Sequence, residues 1–127
     1  MDGYDVQVGC DVEMERELRL KLAERRFCRE EYETIIAEQD EAKRIGLFYR
    51  YWVLKESFMK ATGKGMALST DQFCIRLGDP PVLIRKPAEF PKQYYYREYR
   101  PEGLPYRMAV CSSDCRIDEK LYMEFVL

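Results

Sequence analysis

With 127 residues, 46% of them hydrophobic and 35% charged, the chain has the composition of one globular domain, 1–127, not of a disordered or fibrous segment. A net charge of −2, from 21 basic and 23 acidic residues, argues against bulk electrostatic binding of nucleic acid. No apolar run reaches the roughly 18 residues of a membrane span and no secretory signal opens the chain, so a cytoplasmic protein with no membrane partner is expected.

Val6 to Glu13 alternates with period two, which predicts a strand. Val6, Val8, Cys10 and Val12 form its expected buried face, and Asp11 and Glu13 share the other. From Glu15 to Arg26 the pattern turns helical, with Leu18, Leu22 and Phe27 on one face. Cys28-Arg29-Glu30-Glu31 reads as a second helix start that carries Tyr32, Ile35 and Ile36 inward. The third helix, about 40–62, is the longest, and Leu47, Tyr51, Leu54, Phe58 and Ala61 mark its apolar face. Gly63 is its expected left-handed cap. Beyond Ser69 the runs Phe73–Leu77, Val82–Ile84, Tyr94–Tyr99 and Tyr106–Cys111 read as short strands, and Tyr122–Val126 as a last one. Gly78-Asp79-Pro80-Pro81 and Pro101-Glu102-Gly103 separate them as turns. One strand, then helices packed on an antiparallel meander, is an α+β fold.

The five cysteines, Cys10, Cys28, Cys74, Cys111 and Cys115, are odd in number and scattered, and are read as reduced thiols filling space as small apolar side chains. Histidine is absent from the chain, which excludes Ser-His and Cys-His nucleophile pairs.

The chemistry lies in two segments. Side chains at i and i+2 of a strand share a face, so Asp11 and Glu13 present two carboxylates together. A bare pair of this kind is more often a solvated strand face. Glu56 and Lys60, at i and i+4 of the long helix, also share a face, and taken alone they are an ordinary surface pair. Three acids and a lysine converging on one point form what a divalent cation bound to a phosphorylated substrate requires.

At these residues the sequence resembles the 4′-phosphopantetheinyl transferases, specifically the larger Sfp type. The matching segments are Gly9-Cys10-Asp11-Val12-Glu13 and Trp52-Val53-Leu54-Lys55-Glu56-Ser57-Phe58-Met59-Lys60. Arg26-Phe27-Cys28-Arg29-Glu30-Glu31-Tyr32 between them, and Gly63-Lys64-Gly65-Met66-Ala67-Leu68 after them, fit the same family. The resemblance implies transfer of the phosphopantetheine arm of coenzyme A to a serine of an apo acyl or peptidyl carrier protein, releasing adenosine 3′,5′-bisphosphate. It implies Mg²⁺ held by Asp11, Glu13 and Glu56, with Lys60, Lys55 and Lys64 contacting the phosphates of coenzyme A. Glu56, Lys60 and Glu13 are then the catalytic residues, with Glu13 or Glu56 taking the serine proton.

Sfp-type enzymes comprise two similar halves, and the resemblance here is to the second. The smaller holo-acyl-carrier-protein synthases are single halves of about this length that assemble as trimers. The chain is therefore expected to be a homo-oligomer, a dimer first and a trimer second. An unpaired edge at Val6–Glu13 and apolar surface at Tyr94, Tyr95, Tyr96 and Tyr99 would be covered in that assembly. The basic segment from Met14 to Arg29 is the expected docking face for an acidic carrier. Two other functions compete: a catalytically silent carrier-binding module, and an unrelated metal-dependent phosphohydrolase. The second fits poorly, because no further acid cluster supplies another metal site.

Overall fold

The computed structural model describes residues 6–64 and 68–116. Strand β1 (Val8–Met14) leads into α1 (Leu20–Arg26), α2 (Arg29–Ala37) and α3 (Glu41–Thr62). A 3-10 turn (Thr70–Gln72) then opens the strands β2 (Cys74–Arg76), β3 (Val82–Arg85), β4 (Tyr95–Tyr99) and β5 (Tyr106–Ser112). The class is α+β, as expected. Two antiparallel sheets form: β1-β5-β4, with β5 central, and the β2-β3 hairpin. The last expected strand, Tyr122–Val126, and the motif residues Gly65, Met66 and Ala67 lie outside the described residues.

Helix α3 is the spine of the molecule. Asp40 caps its start by accepting from the Lys43 amide at 3.0 Å, and Gly63 ends it in the left-handed region at φ 72°. Its predicted stripe of Tyr51, Leu54, Phe58 and Ala61 is buried, with Leu47 half-buried. The burial extends further round the helix than the periodicity suggests, to Val53, Ser57 and Met59. Both the β1-β5-β4 sheet and the α2-β2 layer pack on it. Two aromatic groups fill the spaces: Phe27 with Phe48, Tyr51 and Trp52, and Phe58 with Phe73, Phe90 and Tyr94. Among the described residues, no helix is long and apolar enough to cross a membrane.

Five expectations are corrected here. The faces of β1 are reversed: Val6, Val8 and Val12 are 49%, 41% and 51% exposed, while Gly9 and Asp11 point inward. The strand lies so close to α3 that only its glycine-and-acid face fits there. Helix α1 begins at Leu20 and not at Glu15, because Glu15 still extends the sheet edge, its amide donating to the Pro105 carbonyl at 2.7 Å. Ile36 is exposed, whereas Tyr94 and Tyr96 are buried, so the tyrosine run is not a continuous apolar surface. Finally, Cys28 and Cys74 form a disulfide that ties the start of α2 to β2, leaving Cys10, Cys111 and Cys115 free.

Candidate active site

The site is built where β1 crosses α3. A Cβ on Gly9 would stand 2.3 Å from the Ala61 nitrogen and 2.5 Å from the Ser57 carbonyl oxygen. Both atoms belong to the helix backbone and cannot give way, so this approach requires glycine. Two residues further on, on the same face, Asp11 meets the helix. Lys60 donates to its Oδ1 at 2.7 Å. The Asp11 carboxylate is 5% exposed as a residue, while half of the Lys60 side chain reaches solvent.

Asp11 has a second oxygen, Oδ2, that is buried and accepts no hydrogen bond. Glu13, next on this face, lies near enough for the Asp11 carboxylate to act on it. Burial, the Asp11 contact and the charges of Asp11 and Glu56 push its carboxyl up to about 7, against the pull of Lys60. Burial and then the charge of Asp11 raise Glu56 as well, opposed by Lys60 and Arg26. Desolvation of Lys60 is outweighed by its hydrogen bond to Asp11 and by the nearby anions, which hold its ammonium above the ordinary lysine value. Three carboxylates face one lysine, and a buried carboxylate oxygen has no donor. Hard oxygen donors with that deficit of positive charge fit a divalent cation such as Mg²⁺.

Asp11 and Lys60 are in direct contact, while Glu13 and Glu56 lie near enough to act on them by charge, and the oxygens of the three acids do not all lie within 4.8 Å of one another. A tighter triad among the described residues is Cys28, Glu30 and Cys74, whose ligand atoms lie within 4.8 Å of one another. Its two sulfurs are already bonded to each other. Lys64 does not join the acids, since its ammonium sits 3.5 Å from Glu89 on the surface. Lys55 does not join them either. It is 1% exposed, paired to Glu31 Oε1 at 2.8 Å, donating to the Phe73 carbonyl at 2.6 Å and lying over the Phe73 ring. One helix position is a rotation of about 100°, so Lys55 turns inward where Glu56 turns to the cleft. The expected phosphate contact is an interior cation.

The sequence model of the 4′-phosphopantetheinyl transferase superfamily matches residues 7–111, which include all of these groups. The chain belongs to that superfamily. It is 34% identical over 122 residues to the 4′-phosphopantetheinyl transferase Sfp of Bacillus subtilis, covering 94% of this chain and 53% of that one. It thus spans about half the length of the curated relatives it matches. Its fold is that of the holo-[acyl-carrier-protein] synthase of Thermotoga maritima, with a TM-score of 0.65 at 19% identity over 93% of this chain and 73% of that one. The synthase of Bacillus anthracis, solved in complex with CoA (3′,5′-ADP), superposes with a TM-score of 0.62 at 17% identity, covering 84% and 93%.

Within this superfamily fold, Glu31 is the supporting residue that sequence reasoning missed. Both of its oxygens are used: Oε1 accepts from the Cys28 amide at 3.0 Å and Oε2 from the Ile75 amide at 2.8 Å, besides the Lys55 ammonium. A signal was present in its spacing, since a glutamate three residues into a helix is the usual partner of the capping residue.

Proposed function

We propose that the chain transfers the 4′-phosphopantetheine arm of coenzyme A to a serine of an apo acyl or peptidyl carrier protein, with adenosine 3′,5′-bisphosphate as the other product. The observation that carries this reading is the convergence of Asp11, Glu13, Glu56 and Lys60 where Gly9 lets β1 touch α3. Asp11, Glu13 and Glu56 would hold Mg²⁺, which when bound supplies charge neutralisation at a pyrophosphate and polarises the attacked phosphorus. Lys60 already reaches solvent, and with a cation beside Asp11 it is released to contact the phosphates. Glu13 or Glu56 would take the serine proton.

Beside Glu13 opens a groove of about 330 Å³ lined by Met14, Arg16, Arg19, Leu22 and Trp52. Arg16 and Arg19, which face Glu13 and Glu17 across this groove, would engage the acidic groups of a carrier helix. The exposed valine face of β1, and its edge that no strand among the described residues pairs, suit a second copy of the chain, as a homodimer or else a trimer. Light scattering that returns a single monomer at micromolar concentration removes that part of the reading.

The test is direct. The full chain is incubated with an apo carrier, coenzyme A and Mg²⁺, and the carrier is weighed by intact-mass spectrometry. A gain equal to the phosphopantetheine arm, abolished by a chelator and by Asp11→Asn, is the expected result. Carrier binding without any mass gain identifies the chain as a carrier-binding module.

A further inference from the structure

The two half-cystines sit at the two ends of one buried polar structure. Cys28 is the capping residue of α2, and its own amide donates to Glu31. Cys74 lies between Phe73, whose carbonyl accepts from Lys55, and Ile75, whose amide donates to Glu31. The carbonyl and the two amides that complete the Glu31–Lys55 pair therefore come from the two cysteines' own segments. Both cysteines are buried, with Cα atoms 5.8 Å apart, inside the range that a disulfide spans. The remaining thiols differ in kind: Cys111 is buried within the sheet, Cys10 is half-buried, and Cys115 is exposed on a different segment.

We propose that Cys28 and Cys74 form a reversible thiol–disulfide exchange site, and that the disulfide clamps the interior Glu31–Lys55 pair. The co-reactant is a low-molecular-weight disulfide such as oxidised glutathione. Both sulfurs are buried, so the exchange runs through local opening between the start of α2 and β2, in which a thiolate from one cysteine attacks that disulfide and releases one glutathione thiolate. The second cysteine then attacks the mixed disulfide and releases the other. The two protons from the protein thiols end on the two glutathiones, so one disulfide is reduced as one is formed. Reduction leaves the chain packed around Glu31 and Lys55 but removes the covalent tie between the segments that supply their outer hydrogen bonds. Water then reaches the ammonium of Lys55 more often through local opening. No step of this depends on the transfer reaction.

The experiment equilibrates the full chain with oxidised and reduced glutathione at graded ratios, quenches in acid, unfolds it in urea with an alkylating agent to block free thiols, and maps the cysteines by peptide mass. A short pulse of an amine acetylating reagent at each ratio reports Lys55, with the exposed Lys64 as an internal reference. Cys28 and Cys74 should pass together from alkylated to linked, and Lys55 acetylation relative to Lys64 should rise about tenfold on reduction, as local opening becomes easier. Cys28 and Cys74 that stay alkylatable in excess oxidised glutathione, or that link to other cysteines, overturn the exchange site. Equal Lys55 labelling in both states overturns the clamp. The double variant Cys28→Ser/Cys74→Ser should label like the reduced chain at every ratio. Hydrogen exchange at the Leu54 amide, unchanged between states, separates local loosening from global unfolding; if that amide exchanges as fast as Lys55 labels, the clamp is also overturned.

Discussion

Replacing Lys55 by methionine removes the cation from the interior while nearly preserving its volume. Glu31 is then left in the core with two backbone donors and no counter-charge. Breaking one partner out of a buried pair costs about 3–5 kcal/mol. Here the cost has a ceiling, because Glu31 can take up a proton instead of staying ionised. From the ordinary value of 4.5, neutralising it at pH 7 costs about 3.4 kcal/mol at about 1.36 kcal/mol per unit. At pH 5.5 the same step costs only about 1.4 kcal/mol. The sign follows from linkage: the variant's Glu31 binds its proton more tightly folded than unfolded, so stability is present below the unfolded value and is lost as pH rises. Lys55→Met should therefore be destabilised by about 3 kcal/mol at pH 7, roughly 10 °C in Tm, and by much less at pH 5.5. Urea unfolding at the two pH values, each against wild type, measures both deficits. Adding Glu31→Gln, which keeps an acceptor for the Cys28 and Ile75 amides without the charge, should recover most of the loss at pH 7. A deficit that is equal at the two pH values refutes the assignment of the cost to an uncompensated Glu31 charge.

Gly9→Ala places a methyl group against helix backbone; overpacking that cannot relax costs about 3 kcal/mol or more, read as a lowered urea midpoint or as loss of soluble protein. Lys60→Ala leaves the buried Asp11 carboxylate without its donor and should cost about 1–3 kcal/mol in stability while sharply lowering transfer in the carrier mass assay; wild-type transfer by the folded variant excludes Lys60 from the reaction. In the unreduced native chain a maleimide at pH 8 should label the exposed Cys115 first and leave Cys111 untouched, because burial pushes the Cys111 thiol up to about 12; peptide mapping decides the order. Charge reversal of Arg16 and Arg19 should raise the KM for carrier and leave that for coenzyme A alone, and equal changes in both would exclude the groove as the carrier's docking surface.

What was legible in the sequence was whatever follows from a period. Asp11 with Glu13, and Glu56 with Lys60, are spaced by the repeat of the element that carries them, and the fold sets Lys60 against Asp11. Periodicity says which residues share a face but not which face turns inward. On β1 the valines looked like the core side, yet the close approach at Gly9 turned the acid side to α3. On α3 the adjacent Lys55 and Glu56 both looked like cleft residues, and one points into the core. The Cys28–Cys74 link spans a sequence separation of 46, and connectivity among five cysteines is not contained in their order. Glu31 was readable as a capping glutamate but not as the partner of a lysine in another helix.

Because Lys55 and Glu56 are neighbours in sequence and opposites in environment, α3 is a partition whose two sides are addressed by residue count. Gly9 packs against Ser57 and Ala61 on this helix, Lys55 is pinned to Glu31 from another direction, and Lys60 reaches Asp11. These three attachments fix the rotation of the helix at three levels. Adding or removing one residue between Lys55 and Lys60 would leave every side-chain type in place and still turn the two ends out of phase by about 100°. Length within this stretch is therefore constrained as well as composition. A library of single insertions and deletions scanned along α3 should show its sharpest loss of folded protein here.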